Sequence, residues 1–175
     1  DIYSFLGLNL LETLFQCPPI LSGFFGALFL SDKEVKKSFE SNFDKIEKQE
    51  IRKLMMILSA SNIDTLYSKT KVTTEYNDRN WASYFATGNL KYIDNIIANV
   101  PYENERTDLS LFLAGASAKW SLCSNAKQDE LVKKHLTGLK DKNENIKEIL
   151  QEDPQYFKNK MVQIIKEQRL KGIWN

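Results

Sequence analysis

The chain has 175 residues, 42% of them hydrophobic, with 24 Lys+Arg against 23 Asp+Glu. That hydrophobic share excludes intrinsic disorder, and the length supports one domain, or at most two small ones. A formal net charge of +1 leaves no overall field to steer nucleic acid or anionic lipid, and sparse glycine (7) and proline (4) argue against a turn-rich all-β fold.

Reading in chain order, Ile2 to Phe15 is mostly apolar and free of proline. It stops at Cys17, which Pro18 biases out of the helical region. Pro19 suits the first position of a second helix running to about Leu30. From Pro18 to Leu30 nothing is charged and Ser22 is the only polar side chain. This run is shorter than the roughly 20 apolar residues a bilayer span needs, and it lacks the basic flank of an export signal. A core helix is the expectation, with Phe24 and Phe29 covered by its neighbours. The first residue is Asp rather than Met, which fits a removed leader or a trimmed start.

Ser31 or Asp32 caps the next helix, with Glu34 in its first turn, and Val35, Phe39 and Phe43 recur on one face. Ile51, Leu54, Met55 and Leu58 form the stripe of a further helix, with Asn62 as its stop. Ile63 to Tyr76 reads as loop or irregular helix. A helix then runs from about Asp78 and closes at Gly88. Another carries Ile93, Ile96, Ile97 and Val100 inward and ends before Pro101. After a polar connector, Thr107 or Asp108 caps a long helix from Leu109 through Gln128, whose Ala, Ser and Gly content near its middle permits close approach of a neighbour. Asp129 caps a helix with Leu131, Val132, Leu136 and Leu139 inward. A short charged helix carries Ile146, Ile149 and Leu150. The last begins at Pro154, packs through Phe157, Met161, Ile164 and Ile165, and ends at Gly172. The fold expected is all-α: stacked antiparallel helical hairpins forming a single helical domain over residues 1–175.

A weak echo runs through "FFGALFLSDKEVKKSF", "WASYFATGNLKYIDNII" and "WSLCSNAKQDELVKKHL". Each opens on an aromatic (Phe25, Trp81, Trp120) that would anchor the inner corner of a hairpin. The separations, 56 and 39 residues, exclude a fixed-period solenoid. With "PPILSGFFGALF" and "EIRKLMMILSASN", these stretches resemble a group of small bacterial helical proteins without an assigned activity. In that group a Trp helix ends in a Phe-Ala-Thr-Gly turn, and a later Ala-rich helix ends in Trp-Ser-Leu-x-Ser-Asn-Ala. The resemblance spans about residues 18 to 136 and covers Trp81, Phe85, Ala86, Thr87, Gly88, Trp120, Ser121, Leu122, Ser124, Asn125 and Ala126. It implies structural roles for them (anchors, turn formers and caps) and favours a periplasmic or secreted location.

Candidate chemistry is thin. Cys123 and His135, in consecutive helices, could meet as a thiolate–imidazole pair oriented by Asp141 or Asn125. The bland alternative is a buried structural Cys and a surface His beside Lys133 and Lys134. Cys17 and Cys123 could be bridged or free. No metal-ligand spacing, calcium loop or phosphate loop occurs, with Gly23 and Gly26 lying in an apolar helix, and no Ser is framed as a nucleophile. No cofactor is expected. Lys158, Lys160, Lys166, Arg169 and Lys171 make a basic face on the last helix, which fits an acidic partner or phosphates; a solvated face is preferred and nucleic acid is not expected. A groove between hairpins lined by aromatics is the place for a peptide or ligand, and Trp81, Tyr84, Tyr92 and Trp120 are its candidate binding residues. The functional expectation is a non-enzymatic interaction or accessory protein without a transmembrane segment. The alternative is a small-molecule-binding or hydrolytic enzyme with its site in an inter-helix cleft. A homodimer through the N-terminal helices is a further option.

Overall fold

A computed structural model describes residues 17–174. The helix expected over Ile2–Phe15, and with it the homodimer surface, lies outside them. Among the described residues the chain is all-α, with ten α-helices, three short 3₁₀ turns and no strand. They are α1 (Pro18–Ser31), α2 (Lys33–Glu40), α3 (Gln49–Ala60), α4 (Ile63–Tyr67), α5 (Thr74–Thr87), α6 (Lys91–Ile97), α7 (Leu109–Ala126), α8 (Glu130–Leu139), α9 (Glu144–Gln151) and α10 (Pro154–Leu170). None is long and apolar enough to cross a membrane. Although composition shows no break, the contacts group the chain into two compact units. One comprises residues 17–71 with Asp78–Asn89; the other comprises Val72–Asn77 with residues 90–174.

In the first unit, α1 supplies the largest share of the core. Leu21, Phe25 and Phe29 of α1 pack with Phe39 of α2, Ile46, and Ile51, Met55 and Leu58 of α3. Phe25, Phe29 and Phe39 form a triangle with ring centroids 5.3 to 5.7 Å apart. Phe24 is half-buried against this cluster. The two glycines of the run have distinct tasks. A Cβ on Gly23 would overlap the backbone carbonyl of Arg79, and one on Gly26 would sit 3.0 Å from Ile63. Their absence of side chains lets α5 and α4 close on α1. The contact is sealed by polar groups. Ser83 Oγ donates to the Gly23 carbonyl at 2.9 Å, so the Tyr67 hydroxyl, 2.7 Å away, donates to Ser83 Oγ.

Caps follow the short polar residues. Asp32 accepts from the Glu34 and Val35 amides. Asn62, expected to end α3, instead starts α4 by accepting from Asp64 and Thr65, because Ser61 already terminates α3 in an extended conformation. The region expected as loop or irregular helix holds α4 and the first turn of α5. That helix begins at Thr74, earlier than expected, with Thr73 Oγ1 accepting from the Tyr76 amide. Its end is as read: Gly88 takes φ +66°, a value that favours glycine.

In the second unit α7 is central. Asp108 caps it, and Gly115 meets the 3₁₀ turn Val100–Asn104 so closely that a Cβ would overlap the Glu103 nitrogen. Asn77 bridges the contact from another side. Its amide donates to the Ala114 carbonyl at 2.8 Å and to Ser117, and Asn99 donates to its oxygen. Phe112 and Ala116 pack with Trp174, Met161, Ile164 and Ile165, and α10 ends at Leu170, two residues before Gly172 with φ +69°. Asp129, Asn143 and Asp153 cap α8, α9 and α10.

Candidate functional site

Trp81 and Tyr84 belong to the first unit and Tyr92 to the second, and all three are buried. Their rings serve packing: Trp81 stacks on Phe85 at 5.7 Å. Phe85, expected as an anchor, is itself 58% exposed. The hairpin analogy fails at Trp120, which is 44% exposed while its neighbour Lys119 is 2% exposed. The helical register explains the inversion. Lys119 follows Phe112 by seven residues and precedes Cys123 and Ala126 on the inward side of α7, and Trp120 is rotated about 100° away.

What buries a lysine is a closed ring of charges. Lys119 Nζ donates to Glu103 Oε2 at 2.5 Å, to Glu148 Oε2, and to Asn145 Oδ1 at 3.3 Å. Lys160 Nζ reaches Glu103 Oε1 at 2.9 Å and Glu148 Oε1 at 3.2 Å. Each carboxylate uses one oxygen per lysine, so two cations and two anions alternate. Burial raises the Glu148 carboxyl, but the hydrogen bonds and charges of Lys119 and Lys160 outweigh it and hold the group below its ordinary value. Burial likewise works against the charge of Lys160, and Glu103 and Glu148 prevail and raise it. The ring ties the Val100–Asn104 turn to α7, α9 and α10. It also removes Lys160 from the basic face expected on α10.

Cys123 and His135 do not form a dyad. The Cys123 thiol donates to the Glu152 carbonyl at 3.3 Å, and burial raises its pKa despite the nearby Lys127 charge. That is the reverse of what an attacking thiol needs. Neither cysteine is bridged. The cavity beside Cys123, about 240 Å³, is lined by Lys133 of α8 rather than by His135. His135 faces another way, where its Nε2 lies 2.6 Å from Asp94 Oδ1 of α6.

That His135–Asp94 contact borders a second concavity of this unit. It is a groove of about 420 Å³ lined by Leu90, Leu131, Lys134, His135, Gly138 and Leu139. Leu131, expected inward, is 44% exposed on the groove wall, because only Val132 and Leu136 occupy the buried side of α8. Lys134 forms no ion pair among the described residues. The lining offers an apolar floor, one cation and one imidazole already held by a carboxylate. It contains no thiol or hydroxyl for the imidazole to activate. The groove and the ion ring were both missed in the sequence. The available signals were a lysine interrupting an apolar helical stripe, and a leucine adjacent to, rather than in register with, Val132 and Leu136.

Half-buried Glu105, in the turn before α7, also carries a shifted carboxyl. Glu105 is lowered from 4.5 to about 2, first by the Thr107 hydroxyl and then by the Thr107, Arg106 and Asp108 amides. Its Oε1 accepts all four, shaping the turn into α7. No group of three or more metal-capable side chains occurs among the described residues. The chain matches no family model, no curated protein and no solved structure.

Proposed function

We propose that the chain is a non-enzymatic interaction or accessory protein that receives an amphipathic helix of a partner protein in the groove of its second unit. The observation that carries the reading is the exposed Leu131 standing with Leu90 and Leu139 around an apolar concavity, with Lys134 at its edge. Helix-in-groove recognition uses apolar anchors at spacings of three and four, with charge at the rim giving register. Lys134 selects an acidic residue beside those anchors. The groups with chemical potential elsewhere in the unit are bonded to one another, which supports binding over turnover. The bacterial, exported setting implied by the resemblance belongs to the same proposal.

The test is selection from a random peptide display library on the immobilised full chain, with Leu131→Arg as counter-target. Enriched peptides should carry apolar residues at helical spacing with Asp or Glu, and should bind the Leu131→Arg variant at least about tenfold more weakly. Peptides that bind both proteins equally overturn the proposal. The second reading, a small-molecule site, is favoured by the volume, which falls within the range of ligand pockets, roughly 300–1,000 Å³.

A further inference from the structure

The basic face of α10 is not absorbed by the groove or by the ion ring. With Lys160 withdrawn into the ring, the cations left on the outward side are Lys158, Lys166, Arg169 and Lys171, and none forms an ion pair among the described residues. Lys158, Val162, Lys166 and Leu170 follow one another at intervals of four along the exposed ridge of α10, all of them bordering one shallow surface depression. Leu170 is 89% exposed, and Val162 and Ile173 are also exposed. The one carboxylate on this depression, Glu167, accepts from Gln163 at 2.9 Å.

Cations and apolar side chains therefore alternate along the exposed face of α10, and exposed apolar ones lie at its C-terminal end among Lys166, Arg169 and Lys171. An open helix face whose cations form no ion pair among the described residues, set around exposed aliphatic side chains, suits an anionic surface that has an apolar layer beneath it. We infer that this ridge docks the second unit on an anionic lipid surface, with Lys166, Arg169 and Lys171 at the headgroups and Leu170 and Ile173 entering the interface. The chain's net charge of +1 does not oppose this, because attraction to a charged membrane is local and fades within a Debye length.

The experiment is co-sedimentation of the full chain with phosphatidylcholine vesicles, with and without a quarter of phosphatidylserine, at low and high salt. Each cation held near an anionic surface strengthens binding roughly fivefold. The chain should bind the serine-containing vesicles and ignore pure phosphatidylcholine, and release at high salt. The triple variant Lys166→Ser, Arg169→Ser, Lys171→Ser should bind about a hundredfold more weakly. Leu170→Ser should bind several-fold more weakly at unchanged charge. These side chains are exposed, so circular dichroism of both variants should match the parent. Absence of binding to anionic vesicles overturns the inference. So does equal binding by parent and triple variant, or binding of the same residues to duplex DNA while vesicles are ignored.

Discussion

Replacing Lys119 with methionine keeps the volume of the side chain and removes its charge. In the intact protein Lys119 Nζ satisfies Glu103 Oε2 and Glu148 Oε2, and its side chain is 2% exposed. Glu103 is nearly as buried as Lys119, while Glu148 and Lys160 form the rim of the ring. Removing one partner of a buried pair leaves an uncompensated charge at a cost of about 3–5 kcal/mol. Here Lys160 still reaches both carboxylates, so the lower end of that range, about 3 kcal/mol, is expected. Against a domain stability of roughly 5–15 kcal/mol the variant should fold but unfold at lower urea. The assay is urea unfolding followed by circular dichroism. The informative comparison adds Glu103→Gln and Glu148→Gln to Lys119→Met, which neutralises the stranded carboxylates while Lys160 turns to solvent. The triple variant should recover about 2 kcal/mol of the single loss, a non-additivity expected only of groups in contact. A single loss below about 1 kcal/mol, or equal losses in the single and triple variants, would refute the reasoning.

Other expectations follow from particular contacts. Gly115→Ala would force α7 from the Val100–Asn104 turn and should cost about 1–3 kcal/mol or more. Gly138→Ala, where a Cβ meets nothing within 4 Å, should stabilise α8 by up to about 1 kcal/mol; thermal melts of the two should move in opposite directions. Of the two free thiols, exposed Cys17 should react promptly with a chromogenic disulfide while buried Cys123 reacts only after denaturant is added. The acid limb of stability should reflect Glu105. Its folded value lies below the ordinary 4.5, so its contribution is complete above about 4.5 and disappears as pH falls towards about 2. Glu148, also lowered, acts in the same direction. Glu105→Gln should flatten that limb in pH-dependent unfolding.

The sequence made the elements legible where local chemistry decides them. Asp32, Asp108 and Asp129 cap as expected, and Gly88 and Gly172 adopt the left-handed backbone that ends a helix. The apolar run from Pro18 is a core helix, in which Gly23 admits the backbone of Arg79 and Gly26 the side chain of Ile63. Where alternatives compete locally, the reading slipped. Asn62 suits either end of a helix, and β-branched Thr73 and Thr74 disguised the start of α5. The site was harder still. A lysine is ordinarily solvated, and only two carboxylates brought from residues 103 and 148 make its burial affordable in energy. Trp120 is ordinarily packed, yet it faces water because α7 turns Lys119 inward. Leu131 looked like core by composition and lies on a groove wall by register. Such features depend on partners distant in sequence, which no single stretch displays.

If the proposed function holds, a partner helix meets the groove around Leu131 and not the charged ring. Amide chemical-shift mapping of the labelled chain with a selected acidic amphipathic peptide tests it directly. Shifts are expected to cluster at Leu90, Leu131, His135, Gly138 and Leu139, with Glu103, Lys119 and Glu148 unmoved. Shifts centred on the ring residues, with α8 silent, would contradict it.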